Sequence, residues 1–293
     1  MKYQIDRINL SSITYGEFVE KYYIPETPVI LSDTHVNKDN NISSEEMISR
    51  FYDENQREAG WFNAALPKED DNFIKLPDLV STLLSRPDIA MRNQPMRAFM
   101  QPKGHKTLLH YDGNSLNGLN LQIKGEKEWT LISPHTPVSI MPFNFVAAVS
   151  KNFTPDDKKF DSYQFTTMPG DMLFLPRYWL HEVTCKADIN ININWVFTPK
   201  SPNFNSLLGQ REGELLKLKK MFPFLRKITV NGGEQYGGAG TALEKTYIES
   251  IKTSSAIKRL IKEIAATVPF LIHARTISMQ ASSFSKNNFK VDQ

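Results

Sequence analysis

Between Asp188 and Trp195 the chain reads DINININW, with isoleucine at 189, 191 and 193 and asparagine at 190, 192 and 194. Side chains along a β-strand point to opposite faces in turn, so this pattern describes a strand with one apolar and one amide face. Strict period two excludes a helix, and it means that the two faces meet different surroundings. The same alternation recurs upstream. Leu119, Leu121 and Ile123 alternate with Asn120 and Gln122, Lys124-Gly125-Glu126 turns the chain, and Lys127 to Leu131 alternates again. Pro169-Gly170-Asp171 then precedes a compact apolar strand, MLFL. Short strands punctuated by turn signals over residues 97–200 predict a β-sandwich or barrel core.

The flanks read differently. Thr14 to Tyr23 predicts a helix stopped by Pro25, and TPVILSD a short strand. Ser43 and Glu46 have capping-box spacing and open a helix to about Tyr52. Pro77 suits the first turn of a helix, PDLVSTLLS, which Pro87 closes. Residues 1–96 therefore read as a helical and strand cap merging into the core. Residues 201–293 read as a helical C-terminal extension, with a helix over Glu214 to Met221. Its glycine-rich loop, residues 232–240, lacks the Gly-Lys-Ser/Thr ending of a phosphate-binding loop. Ile257, Leu260, Ile261 and Ile264 form an apolar stripe that can pack on the core or join a homodimer.

A chain of 293 residues, 40% hydrophobic and 23% charged, can bury a sizeable core and is not of disordered composition. The N-terminus has no apolar signal stretch, and no run reaches membrane-spanning length. Cys185 is the single cysteine, which suits a reducing compartment, so a cytoplasmic location is expected. Residues 201–293 carry fourteen Lys and Arg against seven Asp and Glu. That balance fits solvated helix faces or a surface for an acidic peptide, and no nucleic-acid motif accompanies it.

In TLLHYDGNS, His110 and Asp112 are two residues apart and so share one strand face, with Tyr111 on the other. They could be two metal ligands or two unrelated polar side chains at a strand end. His181, in PRYWLHEV directly after the apolar strand, supplies a second imidazole. Two histidines and one carboxylate are the donor set that holds non-haem Fe(II) and leaves coordination positions open.

The ordered series PKGHKTLLHYD, QIKGEKEW, PGDMLFLPRYWLHEV and ININWVF, spread over about residues 97–199, resembles the cupin-like, JmjC-type oxygenases. The resemblance is especially to members similar to the asparaginyl hydroxylase that inhibits the hypoxia-inducible factor, and FVEKYYIPETPVILSDT looks like that family's opening more loosely. The resemblance implies a mainly β fold, a double-stranded β-helix (jelly-roll) core with an N-terminal cap and a helical C-terminal extension. It implies Fe(II) held by His110, Asp112 and His181, with 2-oxoglutarate and dioxygen as co-substrates. The reaction would hydroxylate a C–H bond and release succinate and CO2. Peptide or protein side chain, free amino acid and small metabolite all stay open as substrate, the resemblance favouring a polypeptide, and no membrane partner is expected. Two rivals share the fold: a cupin-fold metal- or ligand-binding module without oxygenase activity, and a lysine demethylase.

Lys127 is in phase with Trp129 and Leu131, which puts its ammonium on an apolar inner face where an unpaired charge is costly, unless it snorkels to water. By resemblance it binds the distal carboxylate of 2-oxoglutarate. Thr107 matches a hydroxyl that helps bind the same carboxylate, although its odd separation from His110 places it on the opposite face unless a bulge intervenes. Asn194 matches an asparagine near the co-substrate, while Asn190 and Asn192 share its face. His105 is expected to be a loop side chain, and His35, His135 and His273 lack ligand spacing. Arg177, Tyr178 and Trp179 either line the substrate cleft or serve structure.

Overall fold

The computed structural model describes residues 2–34, 62–65, 76–136 and 162–222. Its strands, in chain order, begin with β1 (Lys2–Tyr3), β2 (Asp6–Asn9), β3 (Val29–Ser32), β4 (Phe62–Ala65), β5 (Ile89–Pro102) and β6 (Lys106–His110). They continue with β7 (Asn117–Lys124), β8 (Lys127–Ile132), β9 (Ser162–Thr167), β10 (Met172–Leu175), β11 (Leu180–Cys185) and β12 (Ile189–Pro199). Among the described residues, three α-helices accompany them: α1 (Tyr15–Phe18), α2 (Asp78–Leu84) and α3 (Leu207–Met221).

The strands form two sheets. One has five strands in the order β1-β9-β8-β11-β6, the other seven in the order β2-β3-β10-β7-β12-β5-β4. Apart from the parallel pairs β1–β9 and β2–β3, neighbours are antiparallel. From β5 to β8, and again from β9 to β12, consecutive strands alternate between the two sheets, which is the jelly-roll course. The expected turns are present. Gly125, between β7 and β8, has φ +75, and a Cβ there would lie 2.4 Å from the Ile189 carbonyl oxygen, so only glycine fits this hairpin.

Two apolar clusters hold the layers together. Between the sheets, Ile30, Leu173 and Leu175 of the larger sheet meet Trp129, Leu131 and Val183 of the smaller. On the far side of the larger sheet, Leu119, Leu121, Ile191, Ile193 and Trp195 pack against Phe18, Val19, Tyr22, Val80 and Leu83 of the helical cap. The isoleucine face of β12 and the leucine face of β7 therefore point outward, under the cap. Their amide faces, Asn190, Asn192, Asn120 and Gln122, point between the sheets and are at most 5% exposed. Each buried aliphatic or aromatic side chain contributes roughly 1.5–3 kcal/mol, so the cap sets this orientation.

The flanking helices differ in detail from the sequence reading. Thr14 and Glu17 form a reciprocal capping box at α1, after which Val19–Tyr23 widens into a π turn. Helix α3 begins at Leu207, seven residues before the expected start, with the Ser206 hydroxyl accepting from Gly209 N at 3.0 Å. Glycines 209 and 213 hid that start, since glycine disfavours helix interiors. The capping-box helix from Ser43, the 232–240 loop and the Ile257–Ile264 stripe lie outside the described residues. Among the described residues, no helix is long and apolar enough to cross a membrane.

Candidate metal centre

Strand β6 ends at His110, and β11 lies antiparallel beside it with His181 directly opposite. Cross-strand partners project to the same side. The two imidazole rings stand 4.2 Å apart between centroids, and both residues are almost fully buried. Asp112 follows just past the strand end, its Oδ1 3.8 Å from His110 Nε2 and its side chain 35% exposed. One donor atom from each of His110, Asp112 and His181 can be chosen so that all lie within 4.8 Å of one another.

The His181 ring is poised to donate a lone pair. His181 Nδ1 lies 3.0 Å from the Trp179 carbonyl oxygen, and a carbonyl only accepts, so Nδ1 carries the proton and Nε2 presents its lone pair. Burial, reinforced by the neighbouring His110 and opposed by Asp112, lowers the His181 pKa to about 4, which keeps the ring neutral near pH 7. Two imidazoles and a carboxylate on one side suit a borderline divalent ion, and a half-open carboxylate edge leaves room for exogenous ligands.

Thr107 joins this face through a backbone irregularity. Thr107 pairs with Val183 and His110 with His181, so β6 spends three residues where β11 spends two. The bulge turns Thr107 to the inner side, between the triad and Lys127.

Lys127 pairs with Cys185 at the far end of β11, four positions from His181, or about 13 Å along the strand. It is 3% exposed, so the snorkelling alternative does not hold. Its ammonium donates to Gln101 Oε1 at 2.6 Å and to Asn192 Oδ1. Asn192 Nδ2 in turn donates to Asn194 Oδ1 at 2.6 Å. The three asparagines are thereby told apart. Asn190 is committed to backbone, accepting from Glu126 N at 3.0 Å and donating to Ala187 O at 2.7 Å. Asn192 anchors the lysine, and Asn194 is linked to it through Asn192.

Sequence reading missed Gln101, whose only signal was its place opposite Asn190 in the β5–β12 register. It also undervalued His105. That side chain is buried near Lys127, and desolvation, reinforced by the lysine charge, lowers its pKa to about 4. Cys185 faces the same region, its thiol pKa raised by burial and partly restored by Lys127. Arg177 pairs with Glu26, and Trp179 Nε1 donates to the Glu26 carbonyl at 2.8 Å, so both fasten the turn before β11 to the cap. His135 is exposed, while His35 and His273 lie outside the described residues.

Comparison with known proteins decides the family. The cupin-like domain family matches residues 32–203, more than half of the chain. The chain belongs to the cupin-like domain family. Its relatives include HSPB1-associated protein 1 of Rattus norvegicus, 31% identical over 190 residues, 61% of this chain and 37% of that protein. The bifunctional lysine-specific demethylase and histidyl-hydroxylase NO66 of Dictyostelium discoideum is 28% identical over 101 residues, 34% of this chain and 18% of that protein. Human ribosomal oxygenase 1 is 30% identical over 81 residues, 28% of this chain and 12% of that protein. The chain thus spans well under half the length of these relatives. Its cupin-like membership accords with the jelly-roll core, and its relatives include oxygenases and a hydroxylase.

Proposed function

We propose that the chain is an Fe(II)- and 2-oxoglutarate-dependent hydroxylase acting on an amino-acid side chain of a peptide or protein. One observation carries the reading: the His110, Asp112 and His181 donor atoms and the buried Lys127 ammonium occupy one inner face, with Thr107 between them. A binding module needs the three ligands but no buried cation at this distance.

His110, Asp112 and His181 would hold the iron. The bound metal, with 2-oxoglutarate and dioxygen, supplies the oxidising chemistry: decarboxylation to succinate and CO2 delivers one oxygen atom into a C–H bond and the other into succinate. The chain's own groups bind and orient. Lys127 would pair with the distal carboxylate, Gln101 and Asn192 fix its ammonium, and Thr107 would add a hydroxyl donor. Trp129, Leu131 and Val183 exclude water from the interior behind the triad. Trp179 O keeps the His181 proton on Nδ1.

A polypeptide substrate is favoured by the names of two relatives, a histidyl-hydroxylase and a ribosomal oxygenase. The demethylase half of the first name makes methyl-lysine the second substrate to try. The single cysteine suits action in the reducing cytoplasm. The test is anaerobic addition of 2-oxoglutarate to the Fe(II)-loaded chain, which should produce a weak visible absorption band. Oxygen and candidate peptides should then give succinate and a one-oxygen mass gain. Absence of both band and succinate would sink the reading.

A further inference from the structure

Asp112 is the ligand least supported by the sheet. It lies beyond the end of β6 and starts a turn in which Asn114 (φ +62) and Ser115 (φ +58) are both left-handed without being glycine. Such backbone persists only when its surroundings hold it. Both oxygens of one buried carboxylate, from a helix about a hundred residues further along the chain, bracket the ligand. Glu212 Oε2 accepts from the Tyr111 hydroxyl at 2.9 Å and Glu212 Oε1 from Asn114 N at 2.9 Å. Arg211 Nη1 adds a bond to the Tyr111 hydroxyl at 3.3 Å. Tyr111, Arg211 and Glu212 are all at most 8% exposed.

The same helix also reaches the other ligand-bearing segment. A Cβ on Gly209 would lie 3.2 Å from the Tyr178 ring, so glycine allows α3 to approach that turn, three residues before His181. The Tyr178 hydroxyl shares a 2.5 Å hydrogen bond with Ser115, and its ring stands edge-on to Tyr111 at 6.1 Å. Leu208 N donates to Pro134 O at 3.2 Å, which seats the helix on the core. Helix α3 lies past residue 203, where the family match ends.

We propose that Glu212 is a positioning residue for the metal centre, its carboxylate clamping residues 111 and 114 so that Asp112 meets His110 and His181. The clamp rests on the metal-site reading above but makes its own claim about the metal-free chain. Charge-assisted bonds to a buried carboxylate are the stronger kind, and partners of this sort typically change metal affinity ten- to a hundredfold.

The experiment uses the 293-residue chain, stripped of metal, with Co(II) as the probe. Glu212→Ala should weaken Co(II) binding on the order of tenfold or more, alter the Co(II) ligand-field spectrum, and lose hydrogen-exchange protection at the Asn114 amide in the metal-free state. Glu212→Gln should recover most of the affinity, because its amide oxygen accepts from Asn114 while its NH2 donates to Tyr111. Leu215→Ala removes a buried apolar contact of the same helix, so it should lower thermal stability yet keep Co(II) affinity. If Glu212→Ala does not fold, Tyr111→Phe decides instead, with a loss of about fivefold or more expected from the hydrogen bonds its hydroxyl makes with Glu212 and Arg211.

Wild-type affinity in Glu212→Ala or in Tyr111→Phe, or an equal loss in Leu215→Ala, overturns the inference alone. A wild-type chain that takes up no Co(II) overturns the metal reading and this inference with it.

Discussion

Replacing Lys127 by alanine should separate three quantities that a misfolded variant would lose together. In the folded chain Lys127 is 3% exposed and its ammonium donates to two neutral amide oxygens, Gln101 Oε1 and Asn192 Oδ1. Removing it forfeits two hydrogen bonds of roughly 1.5–3 kcal/mol each but also relieves the desolvation of a buried charge, a cost of several kcal/mol. The two terms nearly offset, so the stability of the chain without co-substrate should change by only about 1–2 kcal/mol. Co-substrate binding has no such relief. A carboxylate entering this pocket would be buried without its cation, at a cost of roughly 2–5 kcal/mol, or about thirtyfold or more in affinity. The metal ligands lie about 13 Å away along the strand, so metal affinity should hold. Lys127→Arg should not restore binding fully, since a planar fork replaces a compact ammonium between Gln101 and Asn192. The assay is anaerobic calorimetric titration of 2-oxoglutarate into the Fe(II)-loaded variant, alongside denaturant unfolding of the metal-free chain. Unchanged 2-oxoglutarate affinity would refute the reasoning.

Three further outcomes are expected. His110→Ala or His181→Ala should abolish Fe(II) binding and the uncoupled turnover of 2-oxoglutarate while far-ultraviolet dichroism stays native; parental turnover in either would remove it from the ligand set. Gly125→Ala should destabilise by at least about 1–2 kcal/mol in denaturant unfolding, because a left-handed φ of +75 combines with a Cβ only 2.4 Å from the Ile189 carbonyl oxygen. Burial, helped by Lys127, lowers the His105 pKa from 6.5 to about 4, so the unfolded chain binds the extra proton first on acidification. Stability should therefore be complete above about pH 6.5 and fall by up to about 3 kcal/mol as pH drops to 4, and His105→Gln should flatten that limb of the stability curve.

Local pattern alone determined several of the core strands and where they turn. The Ile/Asn alternation of residues 189–194, the Lys124-Gly125-Glu126 and Pro169-Gly170-Asp171 turns and the shared face of His110 and Asp112 all follow from strand geometry, which acts between near neighbours. It could not say which face is inside. The amides of β7 and β12 face the interior because cap helices cover the leucines and isoleucines, and that cover comes from residues far away in the chain. Register, too, is a long-range quantity. Only the pairing of β6 with β11 set His110 against His181, and only the bulge in that pairing turned Thr107 toward them. The Lys127 side chain could have reached water from a strand start; Gln101 and Asn192, brought from two other strands, keep it inside. Glu212 gave no local signal, because a glutamate on a helix looks solvated until tertiary packing buries it on Tyr111 and Asn114. Side-chain period is a property of neighbours, whereas burial and pairing are properties of what the rest of the chain lays on top.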